Sequence, residues 1–130
     1  MIGSDAILER PHNNHPRSTG CFARTLGVYV RDRSIIDLPT ALAMMTIRPA
    51  RLVEAGSPAM RSKGRMQIGA DADVTVFNPD TIADRSTIDN PAQESLGVQF
   101  VFVDGVAIRR NGINQLEIGR PGQPIRSEIF

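Results

Sequence analysis

Apolar positions fall into two rhythms along this chain. Phe22, Leu26, Val28, Tyr29 and Val30 recur at helical spacing with Arg24, Arg31 and Asp32 between them, which predicts a helix over 22–31. A second helix is expected from Asp37, a residue that caps free backbone N–H groups, with Pro39 tolerated in the first turn. Its core side would be Leu38, Ala41, Leu42 and Met45. Pro49 cannot donate to the carbonyl four residues back, so it should end or restart that helix. A further helical turn then runs through Pro49–Ala55, and Gly56 closes it. From Lys63 the period changes. Val74 and Val76 alternate with Thr75 and Phe77, and Asn78-Pro79-Asp80 stops the run. Val98, Phe100 and Phe102 alternate with Gln99, Val101 and Val103 in a longer strand. Asp104-Gly105 suits a hairpin turn that needs positive φ at both positions, and Val106–Arg109 is the return strand, followed by Asn111-Gly112. The Gly- and Pro-rich stretch 119–124 has no period and reads as an extended surface segment.

The pattern predicts an α+β chain, with a loop and helical segment over 1–62 and a strand segment over 63–130. Length and composition sharpen this. At 130 residues the chain falls short of the roughly 200 that a (β/α)8 barrel requires. Its 41% hydrophobic and 22% charged content are those of a soluble globular protein. A net charge of +1, with Arg and Asp scattered throughout, provides no basic stripe for nucleic acid. No apolar run approaches a membrane span of about 20 residues, and the N-terminus lacks the pattern of a signal peptide. The single cysteine, Cys21, fits a reducing compartment, so the expected location is cytoplasmic.

Five residues near the N-terminus could carry chemistry. Asp5, in Gly3-Ser4-Asp5, is by itself an ordinary turn or helix start. Arg17, in His15-Pro16-Arg17, could equally be a solvated loop arginine, although Pro16 stiffens the chain beside it. His12 and His15 form His-Asn-Asn-His, but zinc needs three or four ligands in defined geometry, so they read as loop histidines. Cys21 has no histidine at a spacing that suggests a nucleophilic pair, and reads as a small, partly buried side chain. Asp71 and Asp73 flank a strand start, where short acceptors satisfy loop N–H groups.

Taken together, these motifs resemble the N-acyl-D-amino-acid deacylases, the D-aminoacylase branch of the amidohydrolase superfamily. The run from Gly3-Ser4-Asp5 through His15-Pro16-Arg17 to Thr19–Gly27 is similar to the stretch that leaves the last barrel strand of that family and carries its catalytic aspartate. Met44-Met45-Thr46 to Pro49-Ala50-Arg51-Leu52 resembles its "M-T-x-x-P-A-x-R-L" helix pair, with one residue fewer. Lys63-Gly64-Arg65 to Ile68–Phe77 resembles "K-G-x-I-x-x-G-x-x-A-D-L-V-V-F-D", and Val101–Val106 the closing "V-I-V-N-G" hairpin. Ala6 replaces the usual glycine after Ser-Asp, and Glu9-Arg10 precede the first histidine; both departures bear on substrate class. The resemblance implies helices from the end of a barrel followed by a C-terminal antiparallel β-subdomain, not a complete barrel.

What the resemblance implies for function is specific. Asp5 would be the catalytic aspartate beside a bound zinc, taking a proton from the metal-bound water and delivering it to the departing amine. Arg17 would bind the α-carboxylate of the N-acyl-D-amino acid through its guanidinium fork. The family's metal ligands lie on earlier barrel strands and have no counterpart here, so no metal ligand is assigned and zinc is expected only in a complete member. The expectation is the C-terminal part of such a deacylase, inactive alone. An alternative is a stand-alone, non-catalytic α+β binding or assembly module. A third reading, a small enzyme using Asp5, His12, His15 and Arg17 together, has less in its favour. Strand edges and helix faces without the rest of the fold would favour a homo-oligomer, or docking to the missing barrel portion.

Overall fold

The computed structural model describes residues 1–7 and 14–126. The observed elements are α1 (Arg17–Arg24), a wider π-helical continuation (Thr25–Asp32), α2 (Leu38–Met45) and α3 (Ile47–Val53), followed by β1 (Val74–Phe77), β2 (Val98–Val103), β3 (Val106–Arg110) and β4 (Ile113–Asn114). Single turns of 3-10 helix lie at Pro58–Ser62 and Leu116–Ile118. The four strands form one sheet in the order β1-β2-β3-β4, with β2–β3 and β3–β4 antiparallel. The α+β class expected from the sequence is the one observed, and the sheet does not close into a barrel.

Local chemistry accounts for most element boundaries. Asp37 caps α2: its carboxylate accepts the Thr40 N–H at 2.7 Å and the Thr40 hydroxyl at 2.9 Å. Pro49 lies in the first turn of α3 and has no N–H for the Met45 carbonyl, and α2 ends at Met45. Asp104 and Gly105 both take positive φ, 50° and 75°, as the β2–β3 turn requires. Asn111 and Gly112 do the same (49° and 77°) and turn β3 into the short β4, a strand the alternation had not marked. The β2–β3 register shifts by one residue between Val101 and Phe102, while Phe100 and Phe102 stack on one face, 6.2 Å between ring centres.

The first helix departs from expectation in two ways. It begins at Arg17 rather than near Phe22, because its start is set by Pro16 and by the His15 ring, whose Nδ1 accepts the Arg17 N–H at 3.1 Å. Its buried side is also different. Phe22 and Tyr29 are exposed, and the buried positions are Gly20, Ala23, Thr25, Leu26 and Gly27. This stripe is mostly small residues because backbone passes close to it: a Cβ on Gly27 would lie 2.7 Å from the Ile82 carbonyl oxygen. The widened turn ends with the Arg33 N–H bonded to the Val28 carbonyl, five residues back, at 2.9 Å.

The chain groups into two compact units, one of Leu42–Val76 and Gln99–Phe130 with Met1, the other of Ile2–Ala41 and Phe77–Val98. In the second unit Ala23, Leu26, Ala41 and Ile82 are buried, and the Arg31 guanidinium ties down the loop after β1 by donating to the Ile82 and Asp80 carbonyls at 2.7 and 3.2 Å. In the first, Ala50 and Ala107 are buried. Leu26 and Ile82 are thus the only large apolar side chains in the core among the described residues. No helix among them is long and apolar enough to cross a membrane.

Candidate active site

Asp5 and Arg17 meet. The Arg17 guanidinium sits with Nη2 2.9 Å from Asp5 Oδ2, and its Nε–H donates to the Asp5 carbonyl oxygen at 3.1 Å. One edge of the fork is therefore filled by two oxygens of a single residue, much as a carboxylate would fill it. Asp5 holds a left-handed backbone conformation, φ 50°, which aspartate tolerates better than most residues and which turns its carbonyl and carboxylate towards the same partner. The side chain of Asp5 is 82% exposed and that of Arg17 40%, so both remain within reach of a ligand.

The first turn of α1 holds Arg17 in place. Its N–H is capped by His15, the Ser18 N–H by the His15 carbonyl at 2.9 Å, and the Gly20 N–H by the Pro16 carbonyl at 3.0 Å. His15 thereby serves as a cap, and its Nδ1 lone pair is already in use. His12 lies outside the described residues. Cys21 points its thiol towards the Gly3 carbonyl, Sγ to O 3.7 Å. Burial, and then the nearby Asp84 carboxylate, push that thiol above its ordinary value.

Sequence reasoning missed a buried carboxylate beside this helix. The Asp84 side chain is only 7% exposed; it accepts the Ser86 N–H at 2.8 Å, touches the Ser86 hydroxyl, and faces Arg24 Nη1 at 3.8 Å. The signal available in the sequence was Gly20, a helix-interior glycine that reports something close by.

A second cluster of charge is structural in kind. Lys63 Nζ lies 2.8 Å from Asp71 Oδ2 and 2.5 Å from Asp73 Oδ2, and Asp73 Oδ1 accepts the Asp104 N–H at 2.9 Å. Hydrogen bonds from Lys63, and then from Ser62 to Asp71 and the Asp104 backbone to Asp73, hold both carboxyls below their ordinary value of 3.8. The same bonds raise the Lys63 ammonium above 10.5. The acceptor role expected for these aspartates is visible at Asp73, which fastens the β2–β3 turn.

The described residues do not fit a zinc ion. No group of three or more His, Cys, Asp or Glu converges among them, and the lone pair of His15 Nδ1 is committed to the Arg17 N–H. What the arrangement offers is an exposed carboxylate able to carry a proton, beside a guanidinium edge shaped for a carboxylate.

A family model described as "Amidohydrolase family" matches residues 1–109. Among curated relatives, the N-acyl-D-glutamate deacylase of Alcaligenes xylosoxydans xylosoxydans is 43% identical over 83% of this chain, and the D-aminoacylase of the same organism 40% identical over 83%. The chain spans only 21% of the length of each. Among solved structures, N-acyl-D-glutamate deacylase from Bordetella bronchiseptica, complexed with zinc and a phosphonate inhibitor, superposes with a TM-score of 0.74 at 42% identity, covering 83% of this chain and 22% of that one. A D-aminoacylase structure gives a TM-score of 0.79 at 34% identity, covering 90% and 23%.

Proposed function

We propose, from the premise that this chain belongs to the amidohydrolase family, that it supplies Asp5 and Arg17 to a site that hydrolyses the amide of N-acyl-D-amino acids. The observation that carries this reading is the Asp5–Arg17 pair. It joins a proton-carrying carboxylate to a carboxylate-binding fork at 2.9 Å, in a chain whose matched relatives are named as deacylases of this substrate class. Arg17 binds and orients the α-carboxylate of the substrate. That carboxylate takes the place of Asp5 on the guanidinium and leaves Asp5 free to work on protons. Asp5 takes a proton from the attacking water and passes it to the amide nitrogen as the C–N bond breaks, so that the nitrogen leaves as a neutral amine rather than as an amide anion. The residues described here do not fit a metal, so any metal of the kind bound in the zinc-complexed relative is held by other parts of the fold. Alone, this chain should turn over nothing.

The reading also accounts for the apolar surface. Phe22 and Ile35 in one unit, and Leu52, Met66, Ile68 and Leu116 in the other, are exposed. We infer that a partner covers them, a second copy of this chain being the simplest; sedimentation as a clean monomer at high concentration would count against that.

The direct test is a chimera in which this chain replaces the matching segment of the Alcaligenes N-acyl-D-glutamate deacylase. The chimera should hydrolyse an N-acyl-D-amino acid, and Asp5→Asn should abolish most of that activity. Full activity in the Asp5→Asn chimera would sink the proposal.

A further inference from the structure

The first turn of α1 is gripped from a distant loop. The Ser86 hydroxyl donates to the Pro16 carbonyl at 3.0 Å, across 70 residues of sequence, and the same oxygen contacts Asp84. Two more bonds join that loop to the turn: the Thr19 hydroxyl donates to the Pro91 carbonyl at 2.6 Å, and the Ser95 hydroxyl to the Thr19 carbonyl at 3.3 Å. Gly20 makes the approach possible, since a Cβ there would lie 2.0 Å from Asp84 Oδ1 and 2.4 Å from Ser86 Oγ.

These contacts are polar where apolar packing would have cost less. Burying a carboxylate and a hydroxyl against a helix is unfavourable unless geometry is satisfied at each group. Here Asp84 accepts the Ser86 N–H and the Ser86 hydroxyl finds the Pro16 carbonyl, while the glycine face leaves room for both. Pro16 is the residue before Arg17. The apolar stripe around Leu26 lies farther along the helix and does not fix where its first turn sits.

We propose that Asp84 and Ser86 are positioning residues for Arg17. Asp84 holds Ser86 by accepting its backbone N–H at 2.8 Å, which leaves the Ser86 hydroxyl to donate to the Pro16 carbonyl. The turn that follows then presents the guanidinium at the place where Asp5 meets it. The significance for catalysis rests on the reading of Arg17 as the carboxylate-binding residue; the positioning itself does not.

The test uses the chain as it is. Arg17 Nε–Hε is followed by NMR, assigned by its loss in Arg17→Lys, together with the backbone amides of α1 and of the β2–β3 hairpin. In Ser86→Ala, Hε exchange with solvent should quicken roughly tenfold, the loss expected for one part-buried hydrogen bond. The hairpin amides should stay unchanged. Ser86→Thr, which keeps the hydroxyl, should restore slow exchange, and Asp84→Asn should give an intermediate effect. The proposal fails if Hε is unmoved in both Ser86→Ala and Asp84→Asn. It fails equally if each variant loosens helix and hairpin together, for that is a general structural role. In the chimera, Ser86→Ala should raise KM for the carboxylate-bearing substrate several-fold more than it lowers kcat. An inactive chimera with a quickened Arg17 Hε would remove the deacylase reading and leave the positioning intact.

Discussion

Two ion-paired clusters in this molecule use the same chemistry to different ends. Lys63 bridges Asp71 and Asp73, and Asp73 is bonded in turn to the Asp104 backbone, so each charge has a partner and the group closes a turn. Arg17 meets Asp5 alone among the described residues, with the Asp5 side chain 82% exposed. A pair this open to water contributes about 0–1 kcal/mol to stability. Holding the folded state is therefore a poor explanation for an aspartate in a left-handed conformation beside an arginine. A knotted cluster is built to stay closed, whereas an open pair can exchange one member for a ligand.

Substitution in the open pair should have the largest effect, and on activity. Asp5→Asn in the chimera should lower kcat by about 10²–10⁴-fold, the usual range for removing a general acid or base. The thermal midpoint should not move. A variant that lost activity only in proportion to its stability would erase the distinction between the clusters.

The knotted cluster should show the reverse. Lys63→Met leaves two carboxylates facing each other without their shared counter-charge and should lower the unfolding midpoint, more than any change in the open pair does. Urea unfolding would measure it. At temperatures where the variant chimera is folded, kcat should be retained.

Legibility in the sequence followed the range of the interaction. Asp37 capping Thr40, Pro49 ending α2 at Met45, and the paired positive φ values at Asp104-Gly105 are settled within four residues, and each was readable. The start of α1 was not, because a histidine ring nitrogen caps it and its early positions, Ser18, Thr19 and Gly20, carry no apolar period. The outward turn of Phe22 and Tyr29 was likewise hidden: backbone near Ile82 and the Asp84 carboxylate occupy the helix face instead, and both come from far along the chain. Asp5 and Arg17 could be named from their motifs, but not their direct contact. Asp84 and Ser86 gave no signal of their own.

A smaller effect concerns acid. Asp71 and Asp73 are held below 3.8 by Lys63 and their other donors, so the stability they contribute is present above that value and lost as pH falls through their folded values. Lys63 has the opposite sign: its share is complete below 10.5 and lost as pH rises through its raised value. Stability of the chain should therefore fall off at both extremes, and Lys63→Met should flatten both limbs. Denaturant midpoints measured across pH would show an unchanged profile in the variant if the cluster were incidental.

The smallest expected effect is the most exposing one. Asp5→Asn in the isolated chain should change its stability by less than about 0.5 kcal/mol, as for surface substitutions that touch no buried group. Asparagine accepts the left-handed backbone as readily as aspartate, so the turn is not strained by the change. Its side-chain oxygen can still face Arg17, and what disappears is an attraction that water and salt already screen. A double-mutant cycle with Arg17→Gln isolates the pairwise energy from any loss the single changes cause. Coupling near zero fits a pair kept for exchange with a ligand. Coupling above about 1 kcal/mol, persisting in high salt, would mean that Asp5 and Arg17 brace the fold as Lys63 does. The open pair would then be a second knot, and the case for Arg17 releasing Asp5 to a substrate carboxylate would be gone.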